Sequence, residues 1–254
     1  MLTFISCAKT MTDRCSVAAV PEPTVPWFQQ EAVRQAVELG QLAPDELGRL
    51  LRVNPKLAAA NALRYRDFLS PEPRPLPALL SYTGMVFKHL APADFTADDF
   101  RYAQRHLLIT SFLYGLLRPL DAIKNYRLEG DVRLPQYDGR TMFEVWRPKL
   151  TDVFIEAVRR EGGILLNLAS GEMRDLFDWP KVCSSVRVIT PEFLVHKGGK
   201  LKTVVVYAKM CRGEMTRYAL KNRVESPELL KAFAWEGFAF SEQHSEGDTW
   251  RYVL

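Results

Sequence analysis

The chain has 254 residues, of which 47% are hydrophobic and 11% aromatic, so it can bury a substantial core in one large domain. Its 34 lysines and arginines stand against 30 aspartates and glutamates, and a net charge of only +4 does not by itself identify a nucleic-acid partner. The sequence has no apolar run of about 18 residues and no basic start of a signal peptide, so we expect a cytoplasmic protein with no membrane partner.

The cysteines argue against a zinc or disulfide scaffold. They are widely spaced, form no CxxC pair and are accompanied by only four histidines, so we expect reduced thiols, no metal and no cofactor: Cys7, Cys15, Cys183 and Cys211. A dedicated iron site would need clustered histidine and carboxylate ligands, and the sequence has no such cluster.

A short strand is predicted over residues 2–6, and it runs directly into Cys7, Ala8, Lys9 and Thr10. Proteins with parallel strands often place ligand groups just past a strand end, which makes Lys9 a candidate. Three prolines then predict an extended loop over residues 12–26.

Residues 27–68 form a predicted helical module. Within it, residues 44–52 begin with proline and acids, as a helix start should, and residues 57–68 are alanine-rich, so a tight turn joins two short helices. Such a turn can present N–H groups to a phosphate backbone, as a DNA-gripping helix-hairpin-helix does, with three cations nearby: Arg52, Lys56 and Arg64. The alternative is a hairpin that only covers the core, and this turn lacks the glycines usual in the DNA-binding version.

Residues 70–77 are rich in proline and predict a linker or wrapped loop. A strand-like start is predicted for residues 79–90, and a helix capped by Thr96 for residues 96–117. Pro119 ends that helix and places Arg118 at a corner. Arg118 and Arg127 either pair internally with the neighbouring acids Asp121 and Glu129 or line an anion site.

The C-terminal half alternates helices and strands. We predict a helix over residues 141–160, interrupted at Pro148, and buried strands over residues 163–170, 186–193 and 200–207, with a closing hairpin formed by residues 234–240 and 250–253. Polar side chains at the exit of the first of these strands are candidate ligand contacts: Asn167, Ser170 and Glu172. No nucleophile elbow or catalytic triad is present in that segment.

Residues 203–222 read TVVVYAKMCRGEMTRYALKN and are predicted to pass from a buried strand over residues 203–207 into a helix. One helical sector holds Lys209, Arg212, Gly213 and Thr216, with Arg217 at its margin, while apolar residues fall opposite. Cations around a glycine suit an anion site, since a residue without Cβ lets a ligand or a backbone approach. The alternative is a solvated surface helix.

These elements predict an α+β fold, a single domain of central strands surrounded by helices over residues 1–254. Six segments in this order resemble the YaaA family of peroxide-stress proteins: SCAKT, LYGLLRPLD, YRLEG, LNLAS, VYAKMCRGEMTRYALKNR and GFAF. The resemblance implies a helix-hairpin-helix over residues 44–68, binding to duplex or structured DNA and a role in limiting iron-dependent oxidative damage. It also implies a positively charged cleft formed by Lys9, Arg118, Arg127, Lys209, Arg212 and Arg217.

The chain departs from the family pattern near this cleft, where Cys7 replaces the usual proline and Cys211 the usual alanine. Two hypotheses therefore stand side by side. In the first, the chain is a DNA-binding protein of peroxide defence that grips phosphates through its hairpin and cleft. In the second, the cleft is an active site for a small anionic or nucleotide-like metabolite, oriented by Lys9, Arg212 and Arg217, with proton exchange or attack assigned to Glu172, Tyr207 or Cys7.

Overall fold

The computed structural model describes residues 1–15, 17 and 20–254. The loop predicted for residues 12–26 includes residues 16, 18 and 19, which lie outside the described residues. Isolated bridges attach this part of the chain to later segments: Met11, just before the predicted loop, pairs with Tyr82, and Thr24, within it, pairs with Asp121.

The chain contains both helices and strands. The helices are α1 (Gln29–Gly40), α2 (Pro44–Leu51), α3 (Pro55–Arg66), α4 (Ala78–Ser81), α5 (Met85–Leu90), α6 (Ala97–His106), α7 (Met142–Arg160), α8 (Trp179–Ser185) and α9 (Val205–Lys221). The strands are β1 (Leu2–Ile5), β2 (Leu76–Pro77), β3 (Leu107–Ser111), β4 (Gly115–Leu117), β5 (Ala122–Ile123), β6 (Ile164–Asn167), β7 (Arg187–Lys197), β8 (Lys200–Lys202), β9 (Ala234–Trp235), β10 (Phe238–Phe240) and β11 (Thr249–Val253).

The main sheet has the strand order β4-β3-β1-β6-β7-β11-β10-β9, and β8 pairs with β7 as a hairpin. Its centre is parallel, from β3 through β1, β6 and β7 to β11, and both ends are antiparallel. β1 reads LTFI and is buried along its whole length, as expected of a central parallel strand covered on both faces. The prediction of central strands surrounded by helices is confirmed.

Helix α7 covers one face of this sheet. Thr141 and Glu144 form a capping box at its start, and Phe154 packs on Phe4 of β1 with ring centroids 4.9 Å apart. Trp146 is fully buried and donates its indole N–H to the carbonyl of Phe112 over 2.8 Å. The predicted helix over residues 141–160 is confirmed, but the predicted interruption is wrong, because the helix continues through Pro148.

The helix predicted over residues 96–117 is wrong in its second half. Helix α6 ends at His106, and Leu107 begins β3, which pairs in parallel with β1. A continuous apolar run such as LLI fits a buried strand as well as a buried helix, and only the partner strand decides between them. Residues 79–90 likewise form the short helices α4 and α5 instead of beginning as a strand.

The strand predicted over residues 203–207 is also wrong. β8 ends at Lys202, and helix α9 begins at Val205 with Val205 65% exposed. A valine costs a helix well below about 1 kcal/mol relative to alanine. The buried face of α9, which includes Ala208, Cys211 and Met215, outweighs that cost.

Gly213 lies where α9 crosses α5. A Cβ at this position would lie 2.3 Å from the carbonyl oxygen of Val86 and 2.7 Å from the Cβ of His89. The glycine therefore admits the backbone of α5, not a ligand, and Thr216, predicted on the same cationic sector, is fully buried.

Candidate functional site

A crevice opens at the carboxyl ends of β1 and β6. After β1 the chain leads to β3 on one side of β1, and after β6 it leads through α8 to β7 on the other side. Adjacent parallel strands whose connections leave in opposite directions create a gap between them, and α/β proteins bind ligands in such gaps. The sheet topology alone therefore places a candidate site beside Ser6 and Leu168, the residues that follow these two strands.

The crevice has a volume of about 550 Å³. Its walls come from the segments after β1 and β6, from α5 and α9, and from residues 126–131. Charged side chains of both signs line it: Lys9, Arg127, Lys209 and Arg212 on one hand, and Glu129, Asp131 and Glu172 on the other. Four of the six cations expected in the cleft thus meet at one place.

Glu129 connects two of these cations. Its Oε2 lies 2.7 Å from the Nζ of Lys9, and its Oε1 lies 2.8 Å from a terminal nitrogen of Arg127. Lys9 is exposed, whereas Arg127 and Glu129 are about three-quarters buried. The network fixes the segment that follows β1 to the segment that contains Arg127, so both sides of the crevice are held together.

Arg212 differs from these two cations. Within the described residues no carboxylate pairs with it, and its Nε, like that of Arg127, is buried with no hydrogen-bond partner. Burial, and after it the charge of nearby Arg174, lowers the pKa of Arg212. Lys209, one turn earlier on α9, is exposed and also has no carboxylate partner in the described part of the chain. The wall formed by α9 thus carries positive charge that the described side chains leave unbalanced.

Hydroxyl groups line the floor of the crevice. The Oγ atoms of Ser6 and Ser170 lie 3.1 Å apart, and Ser170 donates to Glu172 over 3.3 Å. Tyr126 is buried, with its hydroxyl 2.8 Å from that of Tyr82. Glu172 is exposed at the rim and is the carboxylate best placed to exchange a proton with a bound molecule.

The other candidate reactive groups are less suited to this role. Burial raises the pKa of the Cys7 thiol to about 11, so the thiolate needed for attack is scarce near neutral pH. Tyr207 is 43% exposed and packs on Phe238, and it is not among the residues that line the crevice. Lys9 is held by Glu129.

Arg118 and Arg217 lie away from the crevice, contrary to the prediction that they join the cleft. Arg118 donates to the fully buried Asp121 over 2.7 Å, and Arg217 pairs with Asp94 over 2.5 Å. The internal pairing offered as the alternative for Arg118 therefore describes it correctly. The same alternative also describes Arg127, which pairs with Glu129 and still lines the crevice.

Helices α2 and α3 occupy the predicted hairpin, joined by a turn in which Arg52 adopts a left-handed conformation with φ of 51°. Arg52 pairs with Asp131, Arg64 donates to Asn61, and Lys56 is exposed. None of these three cations lines the crevice, and use of the hairpin as a DNA-binding helix-hairpin-helix stays a prediction.

Sequence reasoning missed several residues of the site. Tyr126 immediately precedes Arg127 in the YRLEG segment, and its position beside a candidate cation could have indicated that it belongs to the site. Asp131 had no such signal, because nothing local shows that it reaches the crevice. Among residues 1–15, 17 and 20–254, no group of three or more metal-binding side chains occurs, and no helix there is long and apolar enough to cross a membrane.

The fold and the site define an α/β protein with a charged crevice at its topological switch point. A family model described as peroxide stress protein YaaA matches residues 1–244. The chain is 61% identical over 254 residues to a protein of Phocaeicola vulgatus, 60% identical over 254 residues to one of Bacteroides fragilis and 46% identical over 255 residues to one of Porphyromonas gingivalis. Each is named UPF0246 protein, and the alignments cover 100% of this chain and 99%, 98% and 100% of those relatives. The chain belongs to the YaaA (UPF0246) family, which confirms the resemblance.

Proposed function

We propose that the crevice binds a small anionic ligand, one that carries a phosphate or a carboxylate, and that this binding serves a role in peroxide stress. The observation that carries the proposal is Arg212, a largely buried guanidinium with no carboxylate partner in the described residues and a buried Nε that has no acceptor. The name of the family model supports the biological setting.

The energetics favour an anionic occupant. A buried charged donor without an acceptor costs more than the roughly 1–3 kcal/mol of a neutral one, and an anion that accepts from it removes that cost. Glu129 is already shared by Lys9 and Arg127, and Asp131 is held by Arg52, so these acids do not balance Arg212. Phosphate and carboxylate oxygens match the planar fork of an arginine.

The size and the lining of the crevice favour a small molecule. A volume of about 550 Å³ falls within the range of roughly 300–1,000 Å³ that small-molecule sites occupy. Phe87, Phe112 and Phe143 line it together with the charges, so the ligand has an apolar or planar part besides its anionic group. The proposal keeps the ligand of the second hypothesis drawn from the sequence, a small anionic molecule, but claims only that the crevice binds it. If the crevice also catalyses a reaction, Glu172 is the residue to test as its proton donor or acceptor.

The proposal is tested by calorimetric titration of the protein with inorganic phosphate and pyrophosphate. Arg212→Gln should weaken binding by roughly tenfold to a hundredfold, because a hydrogen bond to a charged group contributes about 1.5–3 kcal/mol. Arg159→Gln is the matched control, since it removes the same charge from an exposed position near the end of α7. No binding by the wild type at millimolar anion, or equal binding by the Arg212 variant, would refute the proposal.

A second candidate function, DNA binding, is supported by a different surface. No acidic residue occurs between Glu192 and Glu214. On the β7–β8 hairpin, Lys197 lies directly opposite Lys200, a like-charge pairing that is unfavourable without a counterion. Lys202 follows on the same face, and all three lysines are exposed and lack carboxylate partners in the described part of the chain.

This lysine face and the start of α9 lie on one side of the sheet. Val195 pairs with Lys202, so Val195 and Phe193, two positions earlier on the same strand, lie on the lysine face. Phe193 packs on Phe238, and Tyr207 of α9 packs on the same ring. Lys209, which lines the crevice, belongs to the same helix and is a further candidate for a phosphate contact. For this candidate function we therefore propose the β7–β8 hairpin as the DNA-contacting surface, with the α2–α3 hairpin as the competing location.

Fluorescence anisotropy with a DNA duplex over a salt series separates these locations. Replacing Lys200 and Lys202 by glutamine should make the slope of the logarithm of the binding constant against the logarithm of the salt concentration shallower by about two, since each phosphate contact contributes roughly 0.9 to that slope. Lys56→Gln, on the α2–α3 hairpin, should leave it unchanged. The reverse result would place the DNA on α2–α3, and the absence of salt-dependent binding by the wild type would eliminate this candidate.

A further inference from the structure

Tyr65, on helix α3, contacts the backbone of a crevice residue twice. Its hydroxyl donates to the carbonyl of Arg127 over 2.5 Å and accepts from the N–H of Arg127 over 3.3 Å. The side chain is only 2% exposed, so water does not compete for these bonds. One side chain therefore satisfies both backbone groups of the residue whose guanidinium faces the crevice.

Residues 126–131 lie outside the helices and strands, and they need such support. Arg127 belongs to this segment, whose C-terminal part is held by backbone bonds from the N–H groups of Val132 and Phe143 to the carbonyls of Glu129 and Gly130, whereas the backbone groups of Arg127 itself bond to Tyr65. If the backbone at Arg127 shifts, its guanidinium and the shared carboxylate of Glu129 shift with it, and so does the contact of Glu129 with Lys9. The position of one peptide thus determines the geometry of three charged groups.

Arg52 makes a second contact from the same helical hairpin to this segment, through Asp131. The two partners are 74% and 56% exposed, and ion pairs that are so open to solvent contribute little. The buried hydroxyl of Tyr65 is therefore the stronger of the two contacts between this hairpin and the segment.

We propose that Tyr65 is a positioning residue of the crevice: through its two hydrogen bonds to Arg127, helix α3 fixes the crevice wall that contains Arg127 and Glu129. This gives the α2–α3 hairpin a role in the site that does not require contact with DNA. The inference rests on the proposed binding of a small anion.

The test compares Tyr65→Phe with Tyr252→Phe. Tyr252 is also buried and donates to a backbone carbonyl, that of Leu230, over 2.9 Å, and it lies outside the crevice. Both variants lose a buried hydroxyl and should lose stability, Tyr65→Phe somewhat more because its hydroxyl makes two hydrogen bonds and that of Tyr252 makes one. Only Tyr65→Phe should weaken pyrophosphate binding, by roughly threefold to tenfold, the change in equilibrium that one hydrogen bond produces.

A double-mutant cycle separates positioning from general loosening of the fold. If Tyr65 acts through Arg127, then Tyr65→Phe should have no further effect on pyrophosphate affinity in an Arg127→Gln background. Additive losses in that background would overturn the proposal. Equal pyrophosphate affinity of Tyr65→Phe and Tyr252→Phe would overturn it as well, while the proposed function would stand if Arg212→Gln still weakens binding.

Hydrogen exchange measured by mass spectrometry tests the positioning role without any ligand. Peptides that contain Arg127 should exchange faster in Tyr65→Phe than in the wild type, because the N–H of Arg127 loses its acceptor. The same peptides should be unchanged in Tyr252→Phe. Unchanged exchange in both variants would overturn the inference even if the wild type binds pyrophosphate, and faster exchange with no pyrophosphate binding would refute the proposed function alone.

Discussion

Replacing Gly213 by alanine is expected to destabilise the protein, although it replaces a glycine inside a helix. Alanine at an ordinary helix position stabilises by up to about 1 kcal/mol relative to glycine. Here the new Cβ would lie 2.3 Å from the carbonyl oxygen of Val86 and 3.1 Å from the backbone nitrogen of Leu90. Both neighbours belong to the backbone of α5, so no side-chain rotation relieves the contact.

The magnitude follows from the distance. Even a close carbon–oxygen contact in proteins is about 3.3 Å, so α5 and α9 must separate by roughly 1 Å. Overpacking of this kind costs about 1–3 kcal/mol, and the gain in helix propensity is at most about 1 kcal/mol, so we expect a net loss of up to about 2 kcal/mol. For a chain of this length each kcal/mol lowers the melting temperature by roughly 2–4 °C. Because α5 and α9 both line the crevice, anion affinity should fall as well.

Urea denaturation of Gly213→Ala against Gly171→Ala measures this effect. Gly171 is a suitable control because its added Cβ meets no heavy atom within 4 Å and its φ is not positive. Its stability should stay within about 0.5 kcal/mol of the wild type. A Gly213→Ala protein as stable as the wild type would refute the conclusion that this glycine sets the distance between the two helices.

Three further predictions follow from burial and charge. Burial alone would raise the pKa of Asp99, but hydrogen bonds from Lys221 and Arg223, together with those of its capping box, outweigh burial and lower it. The stability of the protein should therefore fall as the pH drops below about 4. Acid unfolding curves should show a smaller loss of stability for Asp99→Asn than for the wild type. Burial raises the pKa of Cys7, so this thiol should react with iodoacetamide at pH 7.5 far more slowly than the exposed Cys183. Peptide mass spectrometry after timed quenching measures the two rates, and equal rates would contradict the burial of Cys7. Arg118→Met should lower the free energy of unfolding, measured by urea denaturation, by about 3–5 kcal/mol, because it leaves the buried carboxylate of Asp121 without its cation. A loss of less than about 1 kcal/mol would contradict the assignment of this ion pair.

Much of the fold could be predicted from local signals. A capping box marks α7 and proline with acids marks α2, and these helices begin where the sequence predicts. The errors concern segments whose state depends on a distant partner. Leu107–Ser111 is a strand because it pairs with β1 in the sheet. Val205 is helical because the apolar face of α9, which begins at this residue, can be buried. Neither partner is visible within a short window of sequence.

The site was predictable in part for a related reason. Lys209 and Arg212 were found because helical periodicity places them on one face, and Lys9 because it follows a strand. Periodicity also predicted Arg217, which the structure pairs with Asp94, more than a hundred residues away in the chain. Sequence patterns give the position of a charge, but not the identity of the group that neutralises it.

Charge neutralisation is therefore a sharper criterion for this site than the number of cations. Arg118, Arg127 and Arg217 each have a carboxylate partner in the structure, and a guanidinium that is already paired gains little from a further anion. Arg212 is largely buried and has none within the described residues, so it gains the most. The position of Arg212 is fixed by α9, which packs closely on α5 at Gly213. Tyr65 fixes the opposite wall of the crevice through Arg127. An unbalanced charge held between two rigid supports is what preorganised anion recognition requires, because little reorganisation then opposes binding.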